Sequence, residues 1–268
     1  MSIGRVATRV VGQPRGGNPD PTKTKITGIH GPPVGKGGRR HGVPGSLGPT
    51  LLAARTHGWR LEEASGTRYD QETPAHDFID GVAPTSTTGK HGTAWLGNGT
   101  NQYSYFDGTH TLDTQAGCGV SLWIKPTTIP TLWIPFGINA GSSWSTIAFI
   151  IQYDSGTMNL HMGGAAGQAY SLYGTSFGAM TAGNWYHIYA GYDADTDTSS
   201  IRINNGTTDT LSAVTSPTHS TTRRVHIGAG SFLGRYFPGA VDTLDWWPRP
   251  LTVAEQDYMW NGGDGVQL

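Results

Sequence analysis

From about Leu51 onward, short apolar runs recur along the chain, separated by clusters of Gly, Asn, Asp, Ser and Thr. "VSLWIKP" (120–126) alternates, which places Val120, Leu122 and Ile124 on one strand face and Ser121, Trp123 and Lys125 on the other. "TIAFIIQYD" (146–154) is almost continuously apolar, the pattern of a strand covered on both sides. The Asp154-Ser155-Gly156 turn and the "NLHMGG" that follows read as a hairpin. "NWYHIYAGYDADTD" (184–197) alternates again, and "SSIRINNGTTDTLS" (199–212) contains an Asn205-Gly206 turn signal. "RRVHIGAGS" (223–231) and "GAVDTLDWW" (239–247) supply two more strands. Many short strands without alternating helices predict an all-β fold, an antiparallel two-sheet β-sandwich of jelly-roll type. One short C-terminal helix is predicted in "LTVAEQDYMWNGG" (251–263). Thr252 and Glu255 form its capping box, Asn261-Gly262 its stop, and Val253 with Tyr258 or Met259 its packing face.

The first fifty residues have no such pattern. They hold twelve Gly and seven Pro, and eight cations (Arg5, Arg9, Arg15, Lys23, Lys25, Lys36, Arg39 and Arg40) stand against the single acid Asp20, a balance of +7. Residues 51–268 carry ten Lys/Arg against eighteen Asp/Glu, a balance of −8, so the net charge of −1 hides a division. A segment this polar and rich in breakers cannot offset its ordering entropy by burial. Residues 1–50 are therefore read as an extended basic arm that a partner orders, or else as a solvated tail, and residues 51–268 as the sandwich domain. An acidic surface on a neighbouring copy or on a shell of another protein suits the arm's charge and shape. Nucleic acid is not expected, because the arm has no aromatics for base stacking.

Composition removes other classes. No run approaches 18 apolar residues, so no membrane-spanning helix and no membrane partner are expected. The N-terminus lacks the apolar segment of a signal peptide, so export by that route is not expected. Cys118 is the single cysteine and reads as a small buried hydrophobe. Asn98-Gly99-Thr100 and Asn205-Gly206-Thr207 match the glycosylation sequon but read as turns.

Five stretches in order carry a family resemblance: "WRLEEASGTRYD" (59–70), "GKHGTAWLGNGTNQYSYF" (89–106), "VSLWIKP" (120–126), "NWYHIYAGYDADTDTSSIRINNG" (184–206) and "GRYFPGAVDTLDWWPRPLTVAEQ" (234–256). Together they resemble the laminin-G-like, concanavalin A-like jelly roll, over about residues 51–263. The resemblance implies the sandwich. It leaves the function open among glycan-binding modules, adhesion domains, glucanases and structural surface domains.

Retaining glucanases of this fold carry Glu-x-Asp-x-x-Glu on one strand, which brings acid and nucleophile to about 5 Å. This sequence has no such run, and the alternation of a regular strand puts Asp242 and Asp245 on opposite faces. An enzyme is therefore not expected. The resemblance allows a structural calcium ion, with Asp70, Asp107 and Asp242 where the family's acidic residues fall, although turn carboxylates that accept backbone N–H bonds explain them as well. No other cofactor is expected. Sugar binding needs aromatics that stack on a ring, and Trp133, Trp144, Tyr170 and Tyr173 lie in or near apparent loops. Trp95, Trp123, Trp185, Trp246 and Trp260 read as core or interface, while Trp247 and Arg249 in "WWPRP" could anchor a neighbouring subunit.

The main reading is a non-catalytic structural protein on a larger assembly, a phage or virus capsid decoration or other virion surface protein. It would be assembled in the host cytoplasm and held to other protein subunits by its arm. The alternative is a carbohydrate-binding or adhesion module.

Overall fold

The computed structural model describes residues 47–139, 146–164, 169–215, 217, 223–229 and 234–268. The basic arm's cations and Trp144 lie outside these residues. Helix α1 (Leu47–Ala54) opens the described chain. The first strands are β1 (His57–Trp59), β2 (Ile79–Val82), β3 (Thr85–Thr88), β4 (Thr93–Asn98) and β5 (Tyr103–Phe106). The middle strands follow as β6 (Cys118–Pro126), β7 (Leu132–Asn139), β8 (Ile147–Asp154), β9 (Thr157–Gly163) and β10 (Ala169–Gly174). The last are β11 (Tyr186–Asp193), β12 (Thr198–Ile203), β13 (Asp209–Leu211), β14 (Arg224–Ile227) and β15 (Pro238–Trp247), before helix α2 (Val253–Trp260).

The strands form two antiparallel sheets. One runs β13-β12-β11-β6-β15-β4-β3, with β1 added against β15; the other runs β10-β9-β8-β7-β14-β5-β2. Val120, Leu122 and Ile124 enter the core between the sheets, as their alternation requires, together with Phe136, Phe149, Ile151, Val225 and Trp246. Cys118 is buried among them, and burial pushes its thiol up. The apolar run of β8 is buried on both sides, because Ile147 and Ile150 cluster with Ile134 on the face turned away from the core. The β8–β9 hairpin turns through Ser155 (φ 48°) and Gly156 (φ 104°), a left-handed pair that favours glycine at the second position.

The outer face of the first sheet is covered by the two helices. Leu51 of α1, Met259 of α2 and Leu251 pack on Tyr189 and Trp247. Trp260 stacks on Trp123 at 5.4 Å between ring centroids. Gly48 leaves the room in α1 that the Tyr258 side chain of α2 occupies. Helix α2 has the capping box read from sequence, with left-handed Asn261 as its stop. Its packing face differs from the expectation at one position: Val253 is exposed, whereas Met259 is buried and Tyr258 half-buried. Helix α1 also crosses the boundary drawn at Leu51, since its first turn belongs to the stretch read as arm.

A β-bulge corrects one strand reading. Asp242 pairs with Trp123 and Asp245 with Ser121, with a register shift between them and Thr243 at φ 46°. Partners two apart share a face, so the extra residue brings both carboxylates to the outer side of the sheet. They are buried there, and Asp245 holds Arg55 at 2.6 Å.

Candidate functional site

The residues picked out from sequence disperse in the structure. Trp133, expected in an exposed loop, lies in β7 and is fully buried; its ring stacks on Tyr153 at 4.8 Å and packs against Phe237 at 4.7 Å. Pro135 is the physical reason. It falls in a bulge where Trp133 pairs with Tyr153 but Phe136 with Ile151, so the strand continues through a residue that reads as a breaker. Tyr170 is half-buried in β10, and its hydroxyl donates to the Thr215 carbonyl at 3.0 Å. Tyr173, on the same edge strand, is 56% exposed and meets His161 edge-on.

Trp247, expected as an anchor for a neighbour, is buried under α1, where its indole N–H donates to the Leu51 carbonyl at 3.0 Å. Arg249 is taken up within the chain by Glu255 at 2.6 Å. That contact holds the Glu255 carboxyl below the usual carboxylate range.

The three aspartates considered for calcium have separate partners. Asp242 is buried and accepts from the backbone N–H of His91 at 2.9 Å; burial nevertheless pushes it up to about 6. Asp107 forms a two-pronged pair with Arg224, with Nη2 to Oδ2 at 2.6 Å. Asp70 is enclosed and accepts from the N–H groups of Gly58 (3.1 Å), Glu72 (3.1 Å) and His76 (3.0 Å) and from His57 Nδ1 (2.6 Å). Burial opposes its charge, but these donors outweigh burial and hold it below the ordinary range. Among the described residues, no group of three or more His, Cys, Asp or Glu side chains could hold a metal ion.

A different set converges on the outer face of the second sheet. Tyr103 and Tyr105 are two apart on β5 and so share a face. Tyr105 lies between His226 of β14 and Ile79 of β2, and Tyr103 lies beside Val82. The Tyr103 ring is 5.8 Å from Tyr105, 6.3 Å from Tyr236 and 6.4 Å from His226. The Arg224 guanidinium sits 4.1 Å above the Tyr105 ring while it pairs with Asp107. Gly81 is required here, because a β-carbon at that position would run into the Tyr103 ring. All three tyrosines are half-buried, so each presents ring surface to solvent, and Ile79 and Val82 beside them are 47% and 40% exposed. His226 forms the floor. It is fully buried, neither ring nitrogen has a hydrogen-bond partner among the described residues, and burial with the Arg224 charge lowers it to about 3.

Sequence reasoning missed this cluster, although part of its signal was present. The spacing in "YSYF" puts two phenols on one face, whereas Arg224 and Tyr236 come from segments more than a hundred residues away. The site is an aromatic platform with an ion pair at its margin.

Two packed antiparallel sheets define a jelly-roll sandwich. The chain belongs to the Concanavalin A-like lectin/glucanases superfamily, whose family model matches residues 98–255. No curated protein matches the chain. Among solved structures it is similar to domain 4 of the extracellular arabinanase AbnA from Geobacillus stearothermophilus, a structure in complex with arabinotriose. The TM-score is 0.60 at 18% identity, with 76% of this chain and 96% of that one covered. It is also similar to the binding domain of Paraclostridial Mosquitocidal Protein 1, with TM-score 0.62, 12% identity, and 78% and 52% covered. A third is the ligand binding domain of botulinum neurotoxin serotype D in complex with N-acetylneuraminic acid, with TM-score 0.61, 9% identity, and 81% and 53% covered. The chain thus spans about half the length of the two toxin domains.

Proposed function

We propose that this protein is a glycan-binding module whose site is the tyrosine platform on the outer face of the second sheet. The carrying observation is the set of three half-buried tyrosines, Tyr103, Tyr105 and Tyr236, gathered within 6.3 Å of Tyr103 beside the Arg224–Asp107 pair. The apolar face of a sugar ring stacks on such surfaces, and an adjacent ion pair offers donors and acceptors to its hydroxyls. The relatives support the reading, since two of the similar structures hold a saccharide, arabinotriose in one and N-acetylneuraminic acid in the other. They lend no support to display on a virion.

Binding fits the platform better than glycoside hydrolysis. Hydrolysis needs two carboxyl groups flanking the bond, whereas the platform described here has one, Asp107, already committed to Arg224.

The test is a screen of the full chain against immobilised glycans, followed by calorimetric titration of the best ligand. Tyr103→Ala and Tyr105→Ala are each expected to weaken binding about tenfold, the scale of one lost stacking contact. Tyr173→Ala, at the far edge of the sheet, is expected to leave it unchanged. Binding that survives both platform changes and fails in Tyr173→Ala would move the site to β10.

A further inference from the structure

A hydrogen-bonded relay stands apart from the platform. His57 of β1 is buried, and its Nδ1 lies 2.6 Å from Asp70 Oδ2. Its Nε2 lies 2.7 Å from the hydroxyl of Thr111, an exposed residue in the loop between β5 and β6. The carboxylate only accepts, so Nδ1 carries a proton toward Asp70, and Nε2 is placed to accept from the Thr111 O–H whenever the ring carries that one proton. Asp70 is fixed in turn by three backbone N–H groups, and the His57 ring stacks on Trp59 at 5.7 Å. A hydroxyl, a base within hydrogen-bond reach and an acid that orients the base are the three side-chain elements of nucleophilic acyl transfer. Burial is graded to match: imidazole and carboxylate are shielded, and Thr111 is an exposed residue.

We infer that Thr111 is a nucleophile toward carboxylic esters, with His57 as its general base and Asp70 as the positioning residue. Thr111 Oγ1 attacks the ester carbonyl carbon as its proton passes to His57 Nε2. Collapse of the adduct breaks the bond to the alkoxide, which takes that proton and leaves as the alcohol. Water, deprotonated by the same nitrogen, then hydrolyses the acyl-threonine, releasing the acid and restoring the hydroxyl. This activity is independent of glycan binding.

The experiment treats the full chain with a fluorophosphonate reagent and maps the adduct by mass spectrometry, with p-nitrophenyl acetate hydrolysis in parallel. One adduct per chain at position 111 is expected in the native protein and also in Thr111→Ser. His57→Gln is expected to slow its formation about 100-fold, the scale of a lost general base, with an unchanged near-ultraviolet circular dichroism spectrum. For Asp70, the readout is the far-downfield proton resonance of the His57 Nδ1–H, present in the native protein and lost together with labelling in Asp70→Asn. No adduct at position 111 in either the native protein or Thr111→Ser would overturn the inference. So would ester hydrolysis at the native rate in Thr111→Ala.

Discussion

Several single side chains in this protein hold polar atoms in places water does not reach, and they set its response to acid. His187 and His226 are lowered to about 3 and His161 to about 4, each chiefly by burial. In the unfolded chain they titrate near 6.5, so below that pH the unfolded state takes up three protons that the folded state refuses. Asp242 and Asp245, pushed up to about 6, act the other way: between about 6 and 3.8 the folded state holds two protons that the unfolded state releases. Three against two, with His76, His91, Asp70 and Glu255 also held low, leaves stability falling as pH drops below 6.5, and the loss continues toward pH 3. Urea unfolding at pH 7.5, 5.5 and 4.5 should show a midpoint that declines steadily. A flat or rising midpoint would contradict this balance of histidine and aspartate protons. Trp133 gives a sharper test of one residue. Removing its buried ring in Trp133→Ala should cost about 3–5 kcal/mol by chemical denaturation, a loss that an exposed sugar-stacking tryptophan would not show.

At the scale of elements, legibility depended on how local the determinants are. Helix α2 could be read because its capping box and stop lie within ten residues, from Thr252 to Asn261. Thr252→Ala is expected to cost about 1 kcal/mol, and Glu255→Ala more than that, because Glu255 also holds Arg249. Thermal melting of both variants checks the order. Helix α1 could not be read, since "LGPTLLAA" contains a Gly and a Pro and its order rests on Trp247 and Tyr258, some two hundred residues away. The same distinction separates the strands. Alternation identified β6 and β11, and an unbroken apolar run identified β8. The bulge in β7 hid the strand that carries Trp133, the bulge in β15 shifted the face of Asp245, and no periodicity reveals an inserted residue.

For the whole molecule, the jelly-roll sandwich was legible because ordered, repeated strand patterns over some two hundred residues constrain the architecture together. The candidate site was not, because it is made where β5, β14, β2 and the segment before β15 meet. Tryptophans drew attention in the sequence, yet the largest rings serve the core, with Trp59, Trp95, Trp133 and Trp246 buried between the sheets. Tyr103, Tyr105 and Tyr236 remain half-buried at the surface. The helices close one outer face, while the platform on the other keeps ring surface and an ion pair within reach of a ligand. The measurement that tests this account most directly is a nuclear magnetic resonance titration of the full chain with the strongest-binding saccharide of the glycan screen. The account predicts saturable shifts confined to Tyr103, Tyr105, Asp107, Arg224 and Tyr236 and their neighbours. Saturable shifts elsewhere on the molecule with these residues unmoved would contradict it.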